Sequence, residues 1–164
     1  MRQRRKAMDP STIDVASRGF FRHLLNSKLW QESRVIHTFL PQNTEPNTFY
    51  LVQEALQSKR RVQVPKVNGR SHLTHHWLED IKLLKKRSWG IPEIQDTATS
   101  VADLSVIDLV LVPGLAFSRK GTRLGQGRGY YDRFLSQLNG VTTLGVGFDW
   151  QLLEDIPEER HDIR

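Results

Sequence analysis

The sequence predicts an α/β fold, a three-layer αβα sandwich with a mostly parallel central sheet. Residues 106–112 are almost continuously apolar and β-branched, as expected of a strand that is covered on both faces. Along the chain, segments with strand character alternate with segments whose apolar residues recur at helical spacing, an order typical of parallel sheets flanked by helices. The chain has 164 residues, of which 38% are hydrophobic. This is enough for one core, so we expect a single domain over residues 1–164.

The first part of the chain predicts two helices and the strand between them. Asp9 and Pro10 are a typical cap and first turn for a helix that continues to about Leu29. Residues 35–40 then have the composition of a strand. Pro46 can begin the second helix, which ends at two basic residues of the kind that a helix C-terminus prefers.

The remaining strands are separated by turn residues. Residues 61–64 predict a short strand that Pro65 stops, and residues 72–78 predict another. The apolar run at residues 106–112 predicts the central strand, and residues 141–148 predict the last one.

A glycine-rich run at residues 123–132, Arg-Leu-Gly-Gln-Gly-Arg-Gly-Tyr-Tyr-Asp, is the most informative part of the sequence. Glycines at alternate positions give the backbone unusual freedom and let its amides approach a ligand, while Arg123 and Arg128 carry forked donors suited to phosphate oxygens. Tyr131 and Phe134 begin a helical stripe, so the loop leads into a helix N-terminus, where an anion is favoured. We expect this loop to bind phosphate. The alternative is a surface turn with solvated arginines, since the run matches neither the P-loop nor the Rossmann fingerprint.

Three strands of the predicted sheet end next to polar residues. Because ligands collect at the carboxyl ends of parallel strands, the loops after Leu40, Val64 and Val112 are expected to meet. Glu45, Lys66 and the glycine loop would then share one cleft. An exposed loop lysine is the alternative interpretation of Lys66.

Charge and composition narrow the class of protein. The net charge of +6 favours acidic partners, which include nucleic acid, anionic membranes and polyanionic small molecules such as ATP and folates. The absence of cysteine excludes disulfides and thiolate sites. The basic N-terminus is not followed by an apolar segment, and no apolar run is long enough to span a bilayer, so we expect a cytoplasmic protein. His72, His75 and His76 have metal-like spacing but no accompanying ligand type, so zinc is not expected.

The sequence resembles the 5-formyltetrahydrofolate cyclo-ligases, also called methenyltetrahydrofolate synthetases. The strongest match is Val-Pro-Gly-Leu-Ala-Phe at residues 112–117, followed through Gly121 by the glycine-rich run. The weaker matches lie in the same order along the chain: Arg-Gln-Arg-Arg-Lys-Ala-Met at residues 2–8, Phe39-Leu40 with Glu45, Val64-Pro65-Lys66, Ser-Trp-Gly-Ile-Pro at residues 88–92, and Asp162.

The resemblance implies an αβα sandwich and an ATP-dependent conversion of 5-formyltetrahydrofolate to 5,10-methenyltetrahydrofolate, with release of ADP and phosphate through an imino-phosphate. It implies ATP as co-substrate and Mg²⁺ as cofactor. The expected partners are these small molecules, with no nucleic acid and no membrane, and we expect a monomer.

The resemblance also implies roles for individual residues, to which Lys66 is added as a phosphate contact because of its place after a strand. The ATP-binding residues are expected to be Arg123, Leu124, Gly125, Gln126, Gly127, Arg128, Gly129, Tyr130, Tyr131 and Lys66. The catalytic residues are expected to be Arg123 and Arg128, on phosphate oxygens. The magnesium ligands are expected to be Asp132 and Asp162. The folate contacts are expected to be Leu40, Glu45, Trp89 and Tyr130.

Each of these residues also has an ordinary structural interpretation. Trp89 could be a packing residue, Glu45 a charge near a helix start, Asp132 a partner of the helix dipole and Asp162 a solvated carboxylate. For the whole protein, the alternatives are a basic nucleic-acid-binding module and a sugar-phosphate isomerase or acyl-transfer enzyme of similar architecture.

The sequence departs from the family pattern at three places. Longer members carry a lysine and an arginine on a more N-terminal helix that contribute to the nucleotide site, so Arg2, Arg4 or Arg5 would have to substitute, or the contact is missing. Family members usually continue beyond the position of Asp162, so we expect the domain to be short at both ends. The basic residue inside the glycine loop is often lysine, where this chain has Arg128.

Overall fold

The structure is a computed structural model that describes residues 1–69, 72–86, 92–95 and 101–157. Its strands are β1 (Val35–Thr38), β2 (Arg61–Asn68), β3 (His72–Leu78), β4 (Leu84–Lys86), β5 (Pro92–Ile94), β6 (Leu109–Pro113), β7 (Ala116–Ser118), β8 (Arg123–Leu124), β9 (Thr142–Val146) and β10 (Leu152–Leu153). Its α-helices are α1 (Arg2–Lys6), α2 (Pro10–Leu25), α3 (Lys28–Glu32), α4 (Phe49–Gln57) and α5 (Tyr130–Leu135). Short 3₁₀ turns lie at Ile81–Leu83, Leu104–Val106 and Asp149–Gln151.

The central sheet has five strands in the order β3-β2-β1-β6-β9. The β2, β1, β6 and β9 strands are parallel, and β3 is antiparallel to β2 at one edge. Two small sheets, β10-β7-β8 and β4-β5, accompany it. The predicted α/β class with a mostly parallel central sheet is therefore confirmed.

Alternate residues of the central strands pack into different apolar clusters. On β6, Leu109 and Leu111 belong to the larger cluster with residues of α2, α3 and α4, whereas Val110 and Val112 belong to a second cluster with Phe134 of α5. Side chains of successive strand residues point to opposite faces, so the strand is covered on both sides. Each such side chain contributes about 1.5–3 kcal/mol when it is fully buried.

The first predicted helix is two helices in the structure. Asp9 caps α2 as predicted, with its carboxylate accepting from the Ser11 and Thr12 N–H groups. The helix ends at Leu25, and Ser27 begins α3 by accepting a hydrogen bond from the Trp30 N–H at 3.2 Å. The predicted helix at Pro46 starts later, at Phe49.

The strand predicted at residues 61–64 was expected to stop at Pro65, which was wrong. The β2 strand continues to Asn68 and pairs with β3 throughout. β1 pairs only with Arg61, Val62 and Gln63, so Pro65 lies where β2 borders β3 alone. Such an edge-like position tolerates a proline, which lacks an N–H donor.

The other predicted strands are present with shifted ends. The strand predicted at residues 72–78 coincides with β3. The central strand β6 starts only at Leu109 because Leu104–Val106 form a 3₁₀ turn capped by Asp103. In the residues that the structure describes, no helix has the length and apolarity required to cross a membrane.

Candidate functional site

The glycine loop, the N-terminal helix and the loop after β1 surround one cleft. Arg2 of α1 donates a hydrogen bond to the backbone carbonyl of Gln126 at 3.0 Å, which joins the helix to the glycine loop. The cleft has a volume of about 270 Å³ and is lined by Arg2, Arg5, Lys6, Gln42, Asn43, Thr44 and Gln126. Three of these side chains are cationic, so the cleft suits an anionic ligand.

The glycines of the loop are required by its backbone. Gly127 and Gly129 have φ angles of 87° and 62°, in the left-handed region that other residues rarely adopt. At Gly125 a Cβ would lie 2.8 Å from the Arg123 guanidinium, so a side chain at this position would require the guanidinium to shift. The predicted helix after the loop is present as α5, although it ends at Leu135.

Arg123 is buried, so the alternative interpretation of solvated arginines is wrong for this residue. Its guanidinium donates to Asp132 Oδ1 at 2.5 Å, and the two side chains are 7% and 17% exposed. The Arg123 Nε is buried and has no hydrogen-bond partner among the described residues. Arg128, by contrast, is exposed, and its carbonyl accepts from Arg133 at 2.7 Å.

Glu45 forms a second buried ion pair, with the cleft residue Arg5. Its Oε1 lies 3.2 Å from an Arg5 guanidinium nitrogen, and its Oε2 accepts from the Gln42 N–H at 2.9 Å. Burial raises the pKa of the Glu45 carboxyl, whereas the Gln42 N–H and Arg5 oppose that shift. The interpretation of Glu45 as a charge near a helix start does not describe this environment.

Tyr131 is affected by the charges of both ion pairs, and its ring centre lies 5.8 Å from the Arg123 guanidinium carbon. Its hydroxyl is buried and has no hydrogen-bond partner within the described ranges. Burial is the main cause that raises the pKa of the Tyr131 hydroxyl; the charge of Glu45 raises it further, and Arg123 lowers it. The first turn of α5 therefore lies within reach of the charges of Glu45 and Arg123.

The other predicted site residues lie in different surroundings. Lys66 is 8% exposed and lies within β2, opposite Thr74, so it is neither in a loop nor exposed. Leu40 is buried in the larger apolar cluster. Tyr130 is half-buried at the start of α5, and Leu124 is exposed. Trp89 and Asp162 lie outside the residues that the structure describes.

Of the two expected magnesium ligands, Asp132 lies within the residues that the structure describes. Among the described residues, no group of three or more histidine, cysteine, aspartate or glutamate side chains could hold a metal ion. Mg²⁺ is commonly bound by one or two carboxylates together with substrate phosphates and water, so one carboxylate beside a phosphate-binding loop is compatible with it. Of the histidines with metal-like spacing, His75 contacts another histidine: its Nδ1 lies 2.9 Å from the Nε2 of buried His37.

Two contacts of the N-terminal helix had no signal in the sequence. Residues 2–6 were considered for the nucleotide site, but Arg5 is buried against Glu45 and Arg4 stacks on Trp150 at 4.7 Å. Of the three arginines considered as substitutes at the nucleotide site, Arg2 is the one that reaches the glycine loop. These partners are far apart in the chain, so helical spacing does not reveal them.

Comparison with known proteins identifies close matches over nearly the whole chain. The family model described as the 5-formyltetrahydrofolate cyclo-ligase family matches residues 1–164. The 5-formyltetrahydrofolate cyclo-ligase of Mus musculus is 31% identical over 146 residues, covering 82% of this chain and 72% of the relative. That of Escherichia coli strain K12 is 28% identical over 170 residues, covering 99% and 92%.

Solved structures agree with the fold. The NMR structure of Aquifex aeolicus 5,10-methenyltetrahydrofolate synthetase has a TM-score of 0.83 and 25% identity, covering 98% of this chain and 80% of that one. A 5,10-methenyltetrahydrofolate synthetase from Mycoplasma pneumoniae has a TM-score of 0.74 at 23% identity, covering 99% and 88%, and supports the fold alone.

Proposed function

This chain belongs to the 5-formyltetrahydrofolate cyclo-ligase family, an enzyme family, and we propose that it uses ATP to convert 5-formyltetrahydrofolate to 5,10-methenyltetrahydrofolate. The observation that carries the proposal is the cation-lined cleft in which the glycine loop, α1 and the loop of Glu45 meet. A polyphosphate and a folate must lie side by side for this reaction, and the two loops provide adjacent surfaces of suitable charge.

The reaction needs activation because the formyl oxygen is a poor leaving group. In the proposed sequence this oxygen attacks the γ-phosphorus of ATP, the bond between phosphorus and the ADP oxygen breaks, and an imino-phosphate forms at N5. N10 then adds to the formyl carbon and loses its proton, and the oxygen leaves as inorganic phosphate. No step requires a protein nucleophile, so the enzyme acts by positioning and by stabilising charge.

The glycine loop is the proposed phosphate-binding element. Its amides and the exposed Arg128 would bind phosphate oxygens, and Arg2 approaches the loop from α1. Arg123 is placed differently from Arg128, since it holds Asp132 and lies against Gly125. We therefore assign Arg123 support of the loop through Asp132 and, through its guanidinium, the expected contact with phosphate oxygen.

Asp132 is the proposed ligand of Mg²⁺ at this loop, with Asp162 as the second expected carboxylate. When bound, the ion would neutralise charge on the phosphates. Asp132 would then exchange part of its contact with Arg123 for the ion.

The folate is assigned to the Glu45 side of the cleft. A pterin is flat and carries N–H donors on its edge, so a carboxylate and an aromatic face are suitable partners. The proposed folate contacts are Glu45, Tyr130, Leu40 and Trp89.

The test follows the methenyl product by its near-ultraviolet absorbance while the protein is incubated with 5-formyltetrahydrofolate, ATP and Mg²⁺. We expect an increase that requires ATP and is matched by released phosphate. The exposed Arg22 of α2, outside the cleft, provides a control in Arg22→Ala, which should keep full activity. Absence of ATP-dependent product together with tight, salt-sensitive RNA binding would instead favour the nucleic-acid-binding alternative.

A further inference from the structure

Arg5 is a buried arginine on a short helix whose other residues are exposed. Its side chain is 8% exposed, with one guanidinium nitrogen 3.2 Å from Glu45 Oε1 and its Nε donating to Thr44 Oγ1 at 3.1 Å. Burying a guanidinium is costly unless it is paired and hydrogen-bonded. Both contacts go to the loop after β1, so α1 is attached to that loop through Arg5.

Glu45 is held at both carboxylate oxygens by donors from different parts of the chain. Arg5 contacts Oε1, the Gln42 N–H donates to Oε2, and the Glu45 N–H donates in turn to the Gln42 carbonyl at 2.9 Å. These contacts determine the direction of the carboxylate. A carboxylate has about four acceptor sites, so positions remain for donors of a ligand.

A further polar group, the Tyr131 hydroxyl, lies near Glu45. The Tyr131 hydroxyl is enclosed without a hydrogen-bond partner in the described part of the chain, and it lies near enough to Glu45 to be affected by its charge. Glu45 itself is 7% exposed. The carboxylate is therefore shielded from bulk water, between Arg5, which lines the cleft, and the first turn of α5.

We propose that Arg5 is a positioning residue of the folate subsite, which keeps Glu45 ionised and aimed at the donor edge of the pterin ring. The inference rests on the proposed function. The pterin edge carries neighbouring N–H groups, and two parallel donors match an ionised carboxylate, whereas a protonated carboxyl would present a donor to them. Without Arg5, Glu45 would be a buried acid with no cation in contact, which favours its neutral form.

The experiment compares Arg5→Met, Arg5→Lys, Glu45→Gln and the double variant in steady-state assays over a range of pH. We expect Arg5→Met to raise KM for 5-formyltetrahydrofolate roughly tenfold, the equivalent of about 1.4 kcal/mol, with little change in KM for ATP. The acid limb of kcat/KM should move to higher pH, and Arg5→Lys should recover part of the loss. In the Glu45→Gln background, Arg5→Met should have little further effect, because Arg5 acts through Glu45.

Several outcomes would overturn the inference. The first is an unchanged KM for the folate, and the second is additive effects of the two substitutions. The third is a lower kcat with equal rises in the KM for folate and the KM for ATP, and no change in the pH profile. Circular dichroism and melting curves establish that each variant folds. If Arg5→Met does not fold, the test uses Arg5→Lys and the double variant. The double variant removes both charges of the pair and so leaves no unpaired charge. Arg22→Met, outside the cleft, should keep wild-type constants.

The same assay separates this inference from the proposed function. A wild-type protein without ATP-dependent turnover would remove the proposed function and the inference with it. A wild-type protein that turns over normally, beside an Arg5→Met variant with unchanged folate KM, would overturn the role of Arg5 alone.

Discussion

Arg123 and Arg128 belong to the same loop but have different environments. Arg123 is ion-paired with Asp132 and almost completely buried, whereas Arg128 is exposed. Removing one partner of a buried pair leaves the other charge without compensation, and this costs more than losing a solvated charge. Removing Arg123 should therefore lower the free energy of unfolding more than removing Arg128.

We expect Arg123→Ala to lower the free energy of unfolding by about 3 kcal/mol and to weaken ATP binding as well. Arg128→Ala should weaken ATP binding with a change in stability of less than about 0.5 kcal/mol. Urea denaturation and ATP titration of both variants provide the measurement. Equal stability losses in the two variants would contradict the difference in burial.

Asp132 is the residue at which magnesium dependence should be most direct. We expect Asp132→Asn to reduce turnover, and the reduction to become smaller as the Mg²⁺ concentration rises, because a weaker ligand is compensated by mass action. Turnover is measured as a function of Mg²⁺ at saturating ATP. A loss of the same size at every concentration would indicate that Asp132 acts only by holding Arg123.

Among the elements, the glycine loop contains one position, Gly127, at which backbone conformation and not space requires glycine. At Gly127 the φ angle is 87°, and no atom of the described chain lies within 4 Å of an added Cβ. Gly127→Ala should therefore cost about 1 kcal/mol of stability through strain alone and raise KM for ATP. Gly19, inside α2, also has open space but ordinary helical backbone.

Gly19→Ala is the matched control, because alanine is about 1 kcal/mol more favourable than glycine inside a helix. It should stabilise the protein and leave KM for ATP unchanged. Urea denaturation and steady-state kinetics distinguish the two variants, and a stabilised Gly127→Ala would contradict the left-handed conformation of the loop.

The contact between α5 and the sheet contains two buried histidines. The His37 Nε2 and His75 Nδ1 lie 2.9 Å apart, and both rings pack against Phe134, with ring centres 4.4 and 4.2 Å away. Burial, with a further contribution from His76, lowers the pKa of His75 to about 4, and burial together with His75 lowers the pKa of His37. The folded protein therefore favours both rings in the neutral form.

This pair should make the protein unstable in acid. Well above pH 6.5, the ordinary histidine pKa, the folded and unfolded states bind the same number of protons at these sites. As the pH falls from 6.5 toward 4, the unfolded state gains protons that the folded state does not. Stability should then decrease by about 1.4 kcal/mol per pH unit for each histidine.

Urea midpoints measured across this pH range check the expectation. The pH dependence should be shallower in His75→Gln, while His23→Gln, on the exposed face of α2, should keep the wild-type slope. A wild-type protein whose stability is independent of pH in this interval would show that the two rings are not held neutral.

At the scale of the whole molecule, the net charge of +6 is compatible with either a small polyanion or a nucleic acid. If ATP binds the folded protein, it should stabilise the protein by about 2.7 kcal/mol at a hundredfold excess over Kd. For a domain of this length, each kcal/mol of stabilisation raises the melting temperature by roughly 2–4 °C. Thermal melts with and without ATP provide the measurement, and an unchanged melting temperature would favour a sugar-phosphate isomerase or acyl-transfer enzyme.

The elements whose signals were local were predicted best. The strand at residues 72–78 and the Asp9 cap are confirmed, because alternation and capping depend on neighbouring residues. Pro65 was misjudged because its effect depends on where β1 ends. The break between α2 and α3 was missed, although Ser27 is a recognisable cap residue.

The order of apolar strands and amphipathic helices was sufficient to predict the α/β class, and the alternate glycines were sufficient to predict a loop with left-handed backbone. Both depend on properties that neighbouring residues share. The environments of Arg5, Arg123 and Glu45 are of another kind, since Arg5 and Glu45 meet across 40 positions of the chain. Whether a charge is solvated or buried against an opposite charge depends on which distant segment folds against it, and no spacing along the chain contains that information.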